Sequence, residues 1–127
     1  MTLHRQSFII TENCPIRDVL DRLGDRWTVL VLHELATGTL RFSELRKRIA
    51  DISPRMLAQT LRHLEQDGLV RREVFPTVPP RVDYALTAMG ESFFERVEML
   101  AQWAADHHEA VKAARRAYVA PAGNAPK

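Results

Sequence analysis

Residues 52–68, ISPRMLAQTLRHLEQDG, have less conformational freedom than any other stretch of the chain. Ser53 is a strong N-cap, Pro54 falls at the first helical position where a missing N–H costs nothing, and Gly68 supplies a left-handed exit. A helix of about four turns is therefore predicted between fixed ends. At roughly 100° per residue, Leu57, Leu61 and Leu64 share one face, and Arg55, Gln59, Arg62 and Gln66 line the opposite one. One side is core and the other is a row of hydrogen-bond donors. Arg and Gln pair bidentately with guanine and adenine edges and also hold phosphates, so the row suits a DNA surface. Taken alone, it suits a solvated helix face equally well.

The leucine face needs other elements to pack on, and the chain supplies them. Its 127 residues, 46% hydrophobic and 27% charged, fit one globular domain able to fold without disulfide or metal. After a polar arm at 1–13 holding the apolar triplet Phe8-Ile9-Ile10, Cys14-Pro15 opens a short helix, 16–23, with Ile16, Val19, Leu20 and Leu23 as its stripe. A second helix, 27–36, carries Val29, Leu30, Leu32 and Leu35 nearly all round and is expected to be the most buried element. Residues 39–41 are too short for more than a strand stub. A third helix, 43–49, turns Leu45 and Ile49 inward and Glu44, Arg46, Lys47 and Arg48 outward. Joined through 50–52 to the capped helix, it gives the helix-turn-helix layout.

Beyond Gly68 the hydrophobic period changes. Residues 69–75 and 81–86 are rich in Val, Tyr and Phe and flank Pro76-Thr77-Val78-Pro79-Pro80, which reads as a β-hairpin with a proline-set tip. Thr87 then caps a long last helix. Met89, Phe93, Val97, Leu100, Ala104 and Val111 trace one stripe, with Phe94, Met99, Trp103 and Ala110 beside it. So wide an apolar surface predicts pairing with a second copy. The Pro-, Gly- and Ala-rich residues 117–127 are expected to be a disordered tail, leaving 14–116 as the folded domain. Charge is unevenly spread: nine Lys or Arg against five acids in residues 41–82 give net +4, and the remainder is −2. A basic middle between acidic ends is a phosphate-binding footprint.

The runs Cys14-Pro15, Leu23-Gly24-Asp25-Arg26-Trp27-Thr28, Leu40-Arg41-Phe42-Ser43-Glu44-Leu45, Leu64-Glu65-Gln66-Asp67-Gly68-Leu69-Val70 and Val78-Pro79-Pro80-Arg81-Val82-Asp83-Tyr84-Ala85-Leu86-Thr87 closely resemble the HxlR-type bacterial transcription regulators, over about residues 14–103. The resemblance implies a mainly α fold with a small β-hairpin wing, a winged helix-turn-helix whose terminal helix forms a dimer interface. It implies a homodimeric repressor or activator with helix 53–67 in the major groove and wing 70–86 near the minor groove or backbone. Asp25, where small residues are commoner, and Asp83, where glutamate is commoner, depart from the pattern without touching the DNA-facing set.

On this reading Pro54, Arg55, Gln59 and Arg62, in the half of the recognition helix that enters the groove most deeply, face base edges or nearby phosphates. Ser53 at the helix entrance belongs to the expected DNA-binding set, as do Thr60 and His63, which flank the stripe within reach of phosphate, and Gln66 lies outside it. Arg46, Lys47 and Arg48 suit phosphate positioning, as do Arg72 and Arg81 on the wing, although strand arginines often serve solubility alone. Two recognition helices related by a two-fold axis predict a near-palindromic double-stranded operator.

Cys14 is the candidate sensor. A thiolate before a helix start and three residues from Arg17 is stabilised by the helix dipole and a nearby cation, and some members of the resembled family sense electrophiles or oxidants through such a cysteine. The alternative is a small buried hydrophobe. With one cysteine per chain, a disulfide must be intermolecular, or else a small molecule caps the thiol.

The histidines at 4, 33, 63, 107 and 108 lack metal-ligand spacing, and no phosphate loop, nucleophile elbow or HExxH motif occurs, so neither enzyme nor cofactor is expected. No apolar run reaches membrane length, the N-terminus lacks a secretory pattern, and the lone cysteine suits a reducing cytoplasm. A small-molecule effector pocket at the dimer interface stays open. The competing reading is a winged-helix protein-interaction module, against which the row of cations argues.

Overall fold

The computed structural model describes residues 15–122, so the arm at 1–13, Cys14 and the last five residues of the expected tail lie outside it. Two units divide the chain, 1–94 and 95–127. The described part of the first unit contains α1 (Pro15–Leu23), α2 (Arg26–Leu35), β1 (Leu40–Arg41), α3 (Phe42–Arg48), α4 (Pro54–Gln66), β2 (Val70–Phe75), β3 (Arg81–Leu86) and the start of α5 (Ala88–Ala117). The strands form an antiparallel sheet in the order β1-β3-β2, with Leu40 opposite Tyr84 and Val70 opposite Leu86. The fold is the expected winged helix-turn-helix, and the stub at 40–41 is the wing's third strand.

The capped helix forms as its sequence dictates. Ser53 Oγ accepts from Met56 N at 3.0 Å, Pro54 begins the helix, and Gly68 leaves it at φ 77°. Leu57, Leu61 and Leu64 are buried together with Val31, Leu32 and Leu35 of α2, Leu45 of α3, and the connecting Ile49 and Ile52. Between α3 and α4 the backbone reverses at Asp51, φ 73°, a left-handed conformation that Asp tolerates better than most side chains.

Two expectations for the core need correction. Leu30 is 43% exposed, and Val31 takes the buried place on α2. Consecutive helix positions differ by roughly 100°, so both cannot face α4. The strongly amphipathic α1 has no buried residue, so its stripe of Ile16, Val19, Leu20 and Leu23 is not part of the core. Asp25, an unusual residue in the sequence pattern, is the N-cap of α2 and accepts from Trp27 N at 3.1 Å.

The hairpin meets α5 through a tight junction. Thr87 Oγ1 donates to Gly68 O at 2.6 Å and accepts from Gly90 N at 3.0 Å, so one hydroxyl joins the exit of α4 to the first turn of α5. In the second unit α5 continues to Ala117, with Met99, Leu100 and Trp103 each more than half exposed. The His107 ring stacks on Trp103, centroids 4.4 Å apart.

Candidate nucleic-acid interface

On α4 the side chains of Arg55, Gln59, Arg62 and Gln66 are exposed, as the helical spacing requires once the leucines are buried. Among the described residues neither Arg55 nor Arg62 has an acidic partner. The same holds for Arg46 and Lys47 on α3, which line a shallow cleft of about 370 Å³ with Phe42 and Ser43. Helix α3 starts sharply because Glu44 Oε1 accepts from Arg41 N at 2.8 Å, which orients the following basic turn. A positive helix face with unneutralised donors can bind phosphates or base edges without first breaking an ion pair.

The other expected cations are engaged. Arg48 donates to Thr37 Oγ1 at 3.1 Å and lies 3.6 Å from Glu34, so it braces the end of α2. Arg72 reaches back from β2 to Glu65 of α4 at 3.5 Å. Arg81 makes a side-on pair with Asp83, Nε to Oδ1 at 3.1 Å and Nη2 to Oδ2 at 3.0 Å, and its guanidinium carbon is 5.0 Å from the centroid of Phe75. Arg81 holds the Asp83 carboxyl below the usual carboxylate range, chiefly through these hydrogen bonds, while the carboxylate raises the guanidinium further.

Thr60 does not belong to this surface. It is fully buried, its hydroxyl without a partner among the described residues, as is that of Thr28 on α2. The reason is spacing: Thr60 follows Leu57 by three residues and precedes Leu64 by four, which puts it on the leucine face. Ser53 remains exposed with its hydroxyl committed to the cap, Pro54 is exposed, and His63 is half-buried. Sequence reasoning misses Glu34, Glu65 and Asp83, the acids that partner these basic side chains. Only the i, i+2 spacing of Arg81 and Asp83 on one strand face signalled any of these pairs.

Among the described residues no three His, Cys, Asp or Glu side chains cluster to hold a metal, and no helix is long and apolar enough to cross a membrane.

Residues 22–112 match the family described as HxlR-like helix-turn-helix. The uncharacterized HTH-type transcriptional regulator YtfH of Escherichia coli (strain K12) is 48% identical over 99 residues, 78% of this chain and 79% of its own. The solved structure of the transcriptional regulator ytfH from Salmonella typhimurium superposes with a TM-score of 0.71 at 45% identity, covering 84% of this chain and 95% of that one. The reduced form of the transcriptional regulator YodB from B. subtilis gives 0.66 at 38% identity, over 72% of this chain and 90% of that one. YodB has also been solved after diamide treatment. These relatives are transcriptional regulators rather than enzymes, and the chain belongs to the HxlR-like helix-turn-helix family.

Proposed function

We propose that the protein acts as a homodimer on near-palindromic double-stranded DNA, with α4 in the major groove and the β2–β3 wing beside the backbone or minor groove. The observation that carries this is the contrast among cations. Among the described residues, Arg22, Arg48, Arg72 and Arg81 are paired with acids, whereas Arg46, Lys47, Arg55 and Arg62, on the two helices of the helix-turn-helix, are not. Arg55, Gln59 and Arg62 read base edges, and Arg46 and Lys47 hold phosphates. Pairing of two chains is supported by the exposed Met99, Leu100 and Trp103, apolar groups that a second copy would remove from water.

Selection of duplexes from a random pool, followed by footprinting and a salt titration, tests the reading. Two symmetric protected half-sites about one helical turn apart and affinity that falls steeply with salt are expected. Binding that is flat with salt, or a footprint without two-fold symmetry, would favour a protein-interaction module.

A thiol response through Cys14 is a second reading, favoured by the likeness to YodB, which is known in reduced and diamide-treated forms. Oxidation would then join the Cys14 thiols of two chains or cap each with a small thiol. If a Cys14→Ser protein releases DNA under oxidant as the parent does, Cys14 is not the sensor.

A further inference from the structure

Side chains alternate across the wing. On one face β3 carries Arg81 and Asp83, Phe75 of β2 lies opposite Arg81, and Arg41 of β1 lies opposite Asp83. This is not the face that sends Leu40, Val70 and Leu86 towards the core, yet Asp83 is only 9% exposed. The carboxylate grips the guanidinium along its Nε and Nη2 edge, and the Phe75 ring lies within cation–π distance of it. The Nη1 edge is left unengaged by either. Arg81 directly follows the wing tip at 76–80, where a DNA backbone would pass. A carboxylate beside DNA repels phosphates, so its presence here calls for an offsetting role.

We propose that Asp83 is a positioning residue for DNA binding: it holds Arg81 with the Nη1 edge free to donate to a phosphate, so that this acid strengthens binding. The proposal rests on the DNA-binding reading above. A free arginine at a strand end samples many rotamers and loses that freedom on contact, whereas the side-on pair has already fixed the guanidinium plane.

The test measures affinity of the full chain for its selected duplex across a potassium chloride series. Asp83→Asn removes a negative charge at constant shape, and simple electrostatics makes it bind more tightly. The expected result is the reverse: several-fold weaker binding and a salt slope shallower by about 0.9, the loss of one phosphate contact. Asp83→Glu should restore most of the affinity. Arg81→Lys, which keeps the charge but cannot form the side-on pair, should weaken binding as Asp83→Asn does. In an Arg81→Ala background, Asp83→Asn should bring no further loss. Tighter binding by Asp83→Asn, an equal loss in the Arg81→Ala background, or wild-type behaviour of Arg81→Lys would each overturn the proposal. Should Asp83→Asn not fold, the Arg81→Lys comparison still decides. If the wild-type chain selects no duplex, the DNA-binding reading and this role fall together; if it binds and Arg55→Ala weakens it while Asp83→Asn tightens it, only the role of Asp83 falls.

Discussion

Arg22 grips Asp67 side-on, Nε to Oδ2 at 2.6 Å and Nη2 to Oδ1 at 3.1 Å, and so ties the last turn of α1 to the C-cap of α4. An acid at a helix C-terminus opposes the helix dipole, and Arg22 offsets that cost. No residue of α1 is fully buried, and this pair is a specific tie between it and the rest of the first unit. The cleft of about 600 Å³ beside it is walled by Asp18, Asp21 and Phe93 as well.

Asp67→Asn should therefore loosen α1 more than it destabilises the whole. Both side chains are partly exposed, so the global loss should stay within about 1 kcal/mol, while amide exchange in residues 15–23 accelerates. Exchange there that is unchanged, with a global loss of several kcal/mol, would show that the pair holds the core instead.

Arg55→Ala and Arg62→Ala should each cost about 1 to 3 kcal/mol of operator affinity and relax specificity at one base pair. Binding to single-base operator variants distinguishes the roles. A loss uniform across the variants assigns that arginine to a phosphate.

Thr60→Val should leave DNA affinity unchanged and raise the thermal midpoint. The buried hydroxyl has no partner among the described residues, and its removal should stabilise the fold by about 1 kcal/mol at nearly constant volume. A loss of DNA affinity without a change in melting would return Thr60 to the interface.

Gly90→Ala should be severe. A Cβ at this position would stand 2.0 Å from the carbonyl oxygen of Leu69, a backbone atom that cannot step aside as a flexible side chain would. Destabilisation by at least about 3 kcal/mol is expected in chemical unfolding. A soluble variant with native stability would mean that α5 enters along a different path.

The Arg81–Asp83 pair carries a pH signature. Asp83 faces Arg41 on β1 and Glu73 on β2 as well as Arg81, with Glu44 of α3 lining the same cleft. Its carboxyl is lowered on folding, by the Arg81 hydrogen bonds first, with charge attraction from Arg81 and Arg41 helping against desolvation. The stability it contributes is fully present above the unfolded value of about 4 and is lost as pH falls through the lower folded value. The melting difference between wild type and Asp83→Asn should thus be constant from neutral pH down to about 5 and shrink below about 4. A difference that shrinks near neutrality would implicate another group.

Most of the fold was legible from local rules. Ser53, Pro54 and Gly68 fix α4 through backbone chemistry that needs no distant partner, and a change of hydrophobic period separates the wing from the helices. The exposed row of Arg55, Gln59 and Arg62 follows from the same spacing that buries Leu57, Leu61 and Leu64. Two misreadings came from faces. Residue type alone puts Thr60 on the polar flank, against its position among the leucines, and α2 is apolar nearly all round, so composition cannot orient Leu30.

What the tertiary structure decided was which cations remain free. Arg22 meets Asp67 across 45 residues, Arg72 meets Glu65 and Arg48 meets Glu34, contacts set by how helices and strands are placed against one another. A sequence lists the charges, but an ion pair depends on distances of a few ångströms between elements far apart in the chain. Local sequence therefore determined the capped helix and its donor face, and packing determined that, among the described residues, Arg46, Lys47, Arg55 and Arg62 are the basic side chains of the helix-turn-helix left without an acid.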